Sequence, residues 1–326
     1  MPAATIPAAM VNAGRLLRAL AMAALFVMTP AAADEAFVTN QESEDVSVVD
    51  LAAGKVVATI PIGGRPAGIA VARDGGRAFV TSPEGKYLTL LDTAARTVVR
   101  RIVLDGGPLG VAVHPAGAPV YVADWYGARL WVVDPDKGAV TATVAVGASP
   151  SGVAVTPDGR LILTADRDDD QVSIIDAATL AVVAVVKVGT RPFGVTVDAD
   201  GRRAYTANVG SNDVTVIDIA AGAVVGRVPV GERPYAVALS GGRGFASDQY
   251  AETVTAFDLA TLEPLSAISV GEYPEGIETA SDGRLVVANW FSNALSVIDP
   301  ATLEVVAEVR VGDGPRAFGT FLRRSR

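Results

Sequence analysis

The sequence predicts an all-β fold, a seven-bladed β-propeller of four-stranded antiparallel blades, and three columns of residues carry that prediction. Pro66, Pro108, Pro150, Pro192, Pro234, Pro274 and Pro315 are spaced 42, 42, 42, 42, 40 and 41 residues apart. Asp50, Asp92, Asp134, Asp176, Asp218, Asp258 and Asp299 keep the same six spacings. So do the turn residues Asn40, Ser82, Asp124, Asp166, Asn208, Asp248 and Asn289. A period near 40 residues made of short β-rich runs is one propeller blade per copy.

The first 33 residues stand outside the repeat. Arg15 and Arg18 precede an apolar run, Ala19 to Met28, which is followed by Pro30 and by Ala31, Ala32 and Ala33. That pattern predicts a signal peptide over 1–33, cut before Asp34, and a single propeller domain over 34–326. The apolar run is too short to span a bilayer as a helix. With zero cysteines the chain can carry neither a disulfide nor a lipid-modified Cys, so the mature protein is expected to be periplasmic, monomeric and without a membrane anchor. Loss of the leader, with its two arginines and no acid, takes the net charge from −9 to −11. An acidic surface of that size disfavours phosphate backbones, so no nucleic-acid partner is expected.

Within one blade, Gly68 to Val71 reads as a first strand, turned by Asp74-Gly75-Gly76. Arg77 to Thr81 is a second, Tyr87 to Asp92 a third and Thr97 to Leu104 a fourth. β-Branched and aromatic residues fill each run, and Gly, Pro, Asp and Asn separate them. Apolar–polar alternation is weak because a blade sandwiched between two others buries both faces, which also explains 50% hydrophobic residues. The repeat begins with a second strand, Ala36 to Thr39, and ends with a first strand, Ala317 to Leu322. The ring is therefore expected to close with three N-terminal strands and one C-terminal strand in one blade, pairing the edges that would otherwise be exposed.

The tetrads Phe37-Val38-Thr39-Asn40, Phe79-Val80-Thr81-Ser82, Tyr121-Val122-Ala123-Asp124 and Tyr205-Thr206-Ala207-Asn208 resemble those of YVTN-type β-propellers. The strands Val172 to Asp176 and Val214 to Asp218 and the turns Val188 to Pro192 and Val230 to Pro234 extend the resemblance over the whole mature chain. It implies the fold. For function it implies a range: exported proteins of unassigned role, lactonase-like enzymes and cofactor-free subunits of quinoprotein amine dehydrogenases.

Little in the chain points to catalysis. His114 is the one histidine and sits at the start of a turn. One His and no Cys remove most zinc and copper sites and nearly exclude a Ser-His-Asp or Cys-His system. Three tryptophans cannot supply one per blade for a quinone cofactor, so no cofactor and no metal are expected. The acidic run Asp166-Arg167-Asp168-Asp169-Asp170 offers oxygens to calcium but lacks the EF-hand spacing, and Asp is ordinary in tight turns.

Candidate function lies where the repeat is broken. Fourth-to-first and second-to-third connections share one face of a propeller, around the channel. After each repeat proline come Ala67, Leu109, Ser151, Phe193, Tyr235, Glu275 and Arg316; before it come Arg65, Gly107, Ser149, Arg191, Arg233, Tyr273 and Gly314. The second-to-third loops add Trp125, Tyr126, Tyr250, Trp290 and Phe291. Arg233, Tyr235, Tyr250, Tyr273, Glu275, Trp290, Phe291 and Arg316 thus fall in one sector of the channel mouth, with Trp125 and Tyr126 in another. Glu278 joins them as a carboxylate in a first-strand column that elsewhere holds Ala70, Ala112, Ala154, Thr196, Ala238 and Gly319. A buried charge there needs a partner. In a purely structural reading Glu275 and Arg316 pair as ring neighbours and the aromatics pack loops.

The reading favoured by these residues is a non-catalytic periplasmic binding or docking module whose mouth holds an unidentified protein or small ligand. The alternative is a periplasmic enzyme or enzyme subunit: a lactonase-like hydrolase using Glu275 or Glu278, or a quinoprotein dehydrogenase subunit. The leader carries its own prediction. N-terminal sequencing of the protein recovered from a Gram-negative periplasm should start at or near Asp34, and an uncleaved N-terminus would refute export.

Overall fold

The computed structural model describes Met1 and residues 34–325; the expected signal peptide lies outside the described residues. Strand order makes seven blades. The second blade runs Gly68–Val71, Arg77–Ser82, Tyr87–Asp92, Thr97–Val103 from the channel outward, and each later blade repeats that order. The second and third strands bury both faces, as in Leu161–Asp166 and Gln171–Asp176. The outermost strand differs from the expectation of burial on both faces: Thr97–Val103 buries Ile102 alone, because nothing packs outside it.

The repeated polar residues anchor turns. Asp50 accepts hydrogen bonds from the Ala52 and Ala53 amides at 3.0 and 2.8 Å, and Asp176 does the same for Ala178 and Thr179. The buried turn residue reaches a hydroxyl seven positions on: Asn208 Nδ2 donates to Thr215 Oγ1 at 2.9 Å, and Asn289 Nδ2 to Ser296 Oγ at 2.8 Å. Thr215 Oγ1 in turn accepts from the Gly189 amide, tying the incoming loop to the blade.

At five of the seven repeat prolines a glycine two residues on sets the blade spacing at the channel; Ala236 and Ala317 hold the other two positions. A Cβ on Gly110 would sit 1.9 Å from the Ser151 carbonyl oxygen of the next blade, and one on Gly276 would sit 2.1 Å from that of Ala317. Gly68, Gly152 and Gly194 meet their neighbours in the same way. At those five glycines the innermost strands touch backbone to backbone, and a side chain would not fit.

Ring closure follows the expected scheme with one difference. Glu35–Asn40, Asp45–Asp50 and Lys55–Pro61 are joined on their channel side by Leu322–Arg323. Ala36 lies opposite Leu322, Phe37 N donates to Phe321 O at 2.9 Å, and Arg316 N donates to Thr39 O at 2.8 Å. Between those two attachments the chain leaves the blade. Phe318–Thr320 pairs in parallel with Gly68, Ile69 and Ala70 of the neighbouring blade. Compared with the register of its sisters, the closing strand holds two extra residues, and Gly319 at φ 125° takes the bend. The apolar cluster containing Val46, Ile60, Phe321 and Leu322 also contains Val286, Leu295 and Val309, so one core crosses the seam.

Phe318, Phe321 and Leu322 are 4%, 0% and 5% exposed. Each contributes about 1.5–3 kcal/mol by burial, and their sum rivals the ~5–15 kcal/mol stability of a typical domain. Deleting residues 313–326 should therefore leave an insoluble or molten protein. A truncated chain that melts at the wild-type temperature would contradict closure by these strands.

Candidate functional site

Two connections of each blade meet at the same mouth of the ring. In the sixth blade Tyr250 N donates to Glu232 O at 3.1 Å, and in the seventh Trp290 N donates to Tyr273 O at 3.0 Å. The residue before the repeat proline is held in the left-handed region, with φ 56° at Arg233 and 58° at Tyr273. That conformation is costly for a non-glycine residue, and the paired loop amides hold it in place.

These loops wall a hollow of about 650 Å³ lined by Tyr250, Tyr273, Trp290, Phe291, Gln249, Gln41, Glu232, Glu252, Glu272, Glu275 and Arg316. The rings form one contiguous set: Tyr250 to Tyr273 5.6 Å, Tyr273 to Phe291 5.2 Å, Phe291 to Trp290 4.5 Å between centroids. Tyr250 is 49% and Phe291 59% exposed. Arg233 sits beside the hollow with its guanidinium 4.4 Å from the Tyr250 ring centroid.

The floor is an ion pair. Arg316 Nε donates to Glu275 Oε2 at 2.7 Å, Arg316 Nη2 donates to the Tyr235 hydroxyl at 2.7 Å, and Gln249 Nε2 donates to Glu275 Oε1 at 2.9 Å. Burial pushes the Glu275 carboxyl above its ordinary value against the pull of Arg316. Burial opposes the charge on Arg316 as well, but Glu275 and Tyr235 outweigh it and hold the guanidinium protonated. The pairing foreseen in the structural reading of Glu275 and Arg316 is therefore real, and it leaves neither group free.

Of the column after the repeat proline, only Glu275 and Arg316 line the hollow. Ala67, Leu109, Phe193 and Tyr235 are buried together with Phe318 as a stopper across the channel. Phe193 lies 4.4 Å from Tyr235 and 5.0 Å from Phe318, ring to ring. Trp125 belongs to this stopper, 6.0 Å from Phe193, with Arg167 over its ring. Tyr126 is 82% exposed and lines no part of the hollow.

Glu278 lies elsewhere. It faces a second hollow of about 540 Å³ on the other side of the stopper, which shares no lining residue with the first. Its Oε2 accepts from the Phe321 and Leu322 amides at 2.5 and 2.8 Å, and Arg324 Nη2 stands 3.6 Å from Oε1. The two-residue excursion of the closing strand frees those amides, and Glu278 satisfies them; it is a clasp on the seam and does not join the mouth.

His114 Nδ1 accepts from the Ala116 amide and Nε2 meets Gly159 O at 3.2 Å, so the imidazole braces a turn. In the acidic run, Asp166 takes Ser173 and Thr164, Asp168 takes Ser149, Asp169 takes the Ala148 amide, and Asp170 takes the Arg191 amide. Among the described residues no three His, Asp or Glu side chains converge as metal donors. The sequence reading missed Gln249, Gln41 and the rim carboxylates Glu232, Glu252 and Glu272. Gln249 was findable: it opens the second-to-third loop in the column of Trp125 and Trp290.

A sequence model of the YNCE-like β-propeller family matches residues 17–117. No curated protein matches the chain. Solved structures share its architecture. A functionally unknown protein from Desulfotomaculum acetoxidans superposes with a TM-score of 0.75 at 18% identity, covering 87% of this chain and 99% of its own. Dihydro-heme d1 dehydrogenase NirN in complex with DHE gives 0.67 at 18% identity over 86% of this chain, which spans 64% of that one. Hydrazine synthase of Kuenenia stuttgartiensis gives 0.53 at 20% identity, over 72% and 96% of the two chains. At such identities the likeness is one of fold. Seven blades and the family match over residues 17–117 support a YVTN-type β-propeller repeat protein.

The clasp makes stability depend on pH. Burial, with Asp34 nearby, raises Glu278 from 4.5 to about 7, while Arg324 and the two amides pull it down without prevailing. The folded state thus holds this proton more tightly than the unfolded chain. The contribution is complete below about pH 4.5 and is lost as the pH rises through about 7, amounting to about 3 kcal/mol at most. Melting temperature should fall between pH 5 and 8 in the wild type and fall less in Glu278→Gln, whose amide oxygen still accepts a bond. Parallel pH profiles for the two proteins would show that Glu278 does not titrate in this range.

Proposed function

We propose that this propeller is a non-catalytic binding module, exported to the periplasm, that holds a small ligand or a projecting group of a partner protein in its aromatic mouth. One observation carries the reading: a preformed 650 Å³ hollow walled by Tyr250, Tyr273, Trp290 and Phe291, above a floor whose charged groups are already paired. Its volume lies in the range of small-molecule sites, about 300–1,000 Å³. Exposed aromatic rings in a concave setting are the side chains that most often anchor binding.

A hydrolase built on Glu275 or Glu278 would need that carboxylate free to act as its base. Glu275 is committed to Arg316 and Gln249, and Glu278 lies beyond the stopper with one oxygen committed to two amides. Neither carboxylate is placed as the base that a hydrolase would require.

Trp290→Ala should weaken ligand or partner retention roughly thirtyfold, the consequence of losing ~2 kcal/mol from an aromatic anchor. Phe291→Ala should act in the same direction, and both variants should melt within a few degrees of the wild type because the rings pack on the rim. The measurement is capture from a periplasmic extract beside a thermal-shift screen of small molecules, wild type against each variant. Retention unchanged in both variants would return the cluster to loop packing.

A further inference from the structure

We infer that the ligand of the aromatic mouth is an organic cation, a protonated amine or guanidinium carried on an apolar body. The inference rests on the binding role proposed above and names its chemical class. Aromatic faces attract cations placed within ~6 Å of the ring centroid, most strongly where water is excluded. Here four rings, tilted or edge to face with one another, line one hollow, so a cation entering it has several aromatic side chains within reach.

The charges of the wall point the same way. Glu232, Glu252 and Glu272 line the hollow, all three residues are exposed, and among the described residues none of them forms an ion pair. The floor adds no net charge, since Arg316 and Glu275 cancel. Arg233 beside the rim offsets one of the three carboxylates, which leaves two uncompensated negative charges at the mouth.

The protein already shows that its rim suits a cation. The Arg233 guanidinium rests over the Tyr250 ring at 4.4 Å, and its Nε is buried without a hydrogen-bond partner. A ligand cation would use the opposite part of the same wall, formed by Tyr273, Trp290 and Phe291. An anion of equal size would meet Glu232, Glu252 and Glu272 and find Arg316 already occupied.

Three probes of one shape test this: phenyltrimethylammonium, its neutral tert-butyl isostere and 4-tert-butylbenzoate, titrated calorimetrically into the full chain at low salt. The cation should bind at least tenfold more tightly than the neutral isostere, and the benzoate should not bind measurably. Replacing Glu232, Glu252 and Glu272 together by Gln should bring cation and neutral probe to within threefold of each other while leaving the melting temperature unchanged. Equal affinity for cation and neutral probe in the wild type, lost in Trp290→Ala, would overturn the cationic class and leave an aromatic binding site. Absence of binding by all three probes, with partner retention still sensitive to Trp290→Ala, would likewise overturn the cationic class. Insensitivity of every retained species to Trp290→Ala would remove the binding role itself.

Discussion

The ring depends on a non-covalent seam. Each blade buries both faces of its middle strands only because a neighbour lies on either side, so opening one joint exposes two faces at once. In this chain the joint is made by residues 315–323, which bond to Glu35–Asn40 at both ends and to Gly68–Ala70 in the middle. The closing strand therefore touches two blades where its sisters, its partner Gly68–Val71 apart, form sheet with one. With no cysteine available, cooperativity across the seam rests on backbone pairing, on Phe321 and Leu322 in the shared core, and on the Glu278 clasp.

The same excursion shapes the channel. Displaced inward, Phe318 meets Phe193 and Tyr235 from blades far away in sequence and completes the stopper. Tyr235 then offers its hydroxyl to Arg316, which reaches Glu275. A buried ion pair is stable only when its remaining donors are satisfied and its geometry is good; here Gln249 and Tyr235 supply the remaining bonds. Seam, stopper and floor of the mouth form one connected set of contacts, and the proposed site stands on the part of the ring that holds it shut.

The period, the strand limits and the sharing of strands at closure were legible because they repeat: the three columns report local turn chemistry that is the same in every blade. Which face a loop occupies also follows from antiparallel order, and so Tyr250, Tyr273, Trp290 and Phe291 could be brought together from sequence. Radial position could not. Tyr235 and Phe193 belong to a loop column that looks exposed, yet the innermost strands approach so closely, with glycine two residues after five of the seven prolines and alanine after the other two, that these rings are buried together across the channel. Glu278 was legible as an anomaly and misplaced as a mouth residue, because its partners are amides freed by a two-residue excursion that no repeat column announces. Glu232, Glu252 and Glu272 passed unnoticed because single carboxylates in surface loops look ordinary until the hollow beside them is seen.

The two short repeats show where this ring tolerates change. The spacings of 40 and 41 residues arise in the turns between first and second strands of the sixth and seventh blades, Ser240 to Arg243 and Thr279 to Leu285, on the face opposite the mouth. Every fourth-to-first and second-to-third connection keeps its length around the whole ring. The mouth thus differs from blade to blade in side chains alone, on loops whose left-handed residues and amide pairs are the same at almost every position. A wall built that way is held by backbone bonds of its own. Binding to a preformed wall spares the ordering of loops, which otherwise costs ~0.5–1.5 kcal/mol per immobilised side chain. A hollow with few fixed contacts can then hold a small ligand, provided that the rings and charges already face it, and in this sector they do.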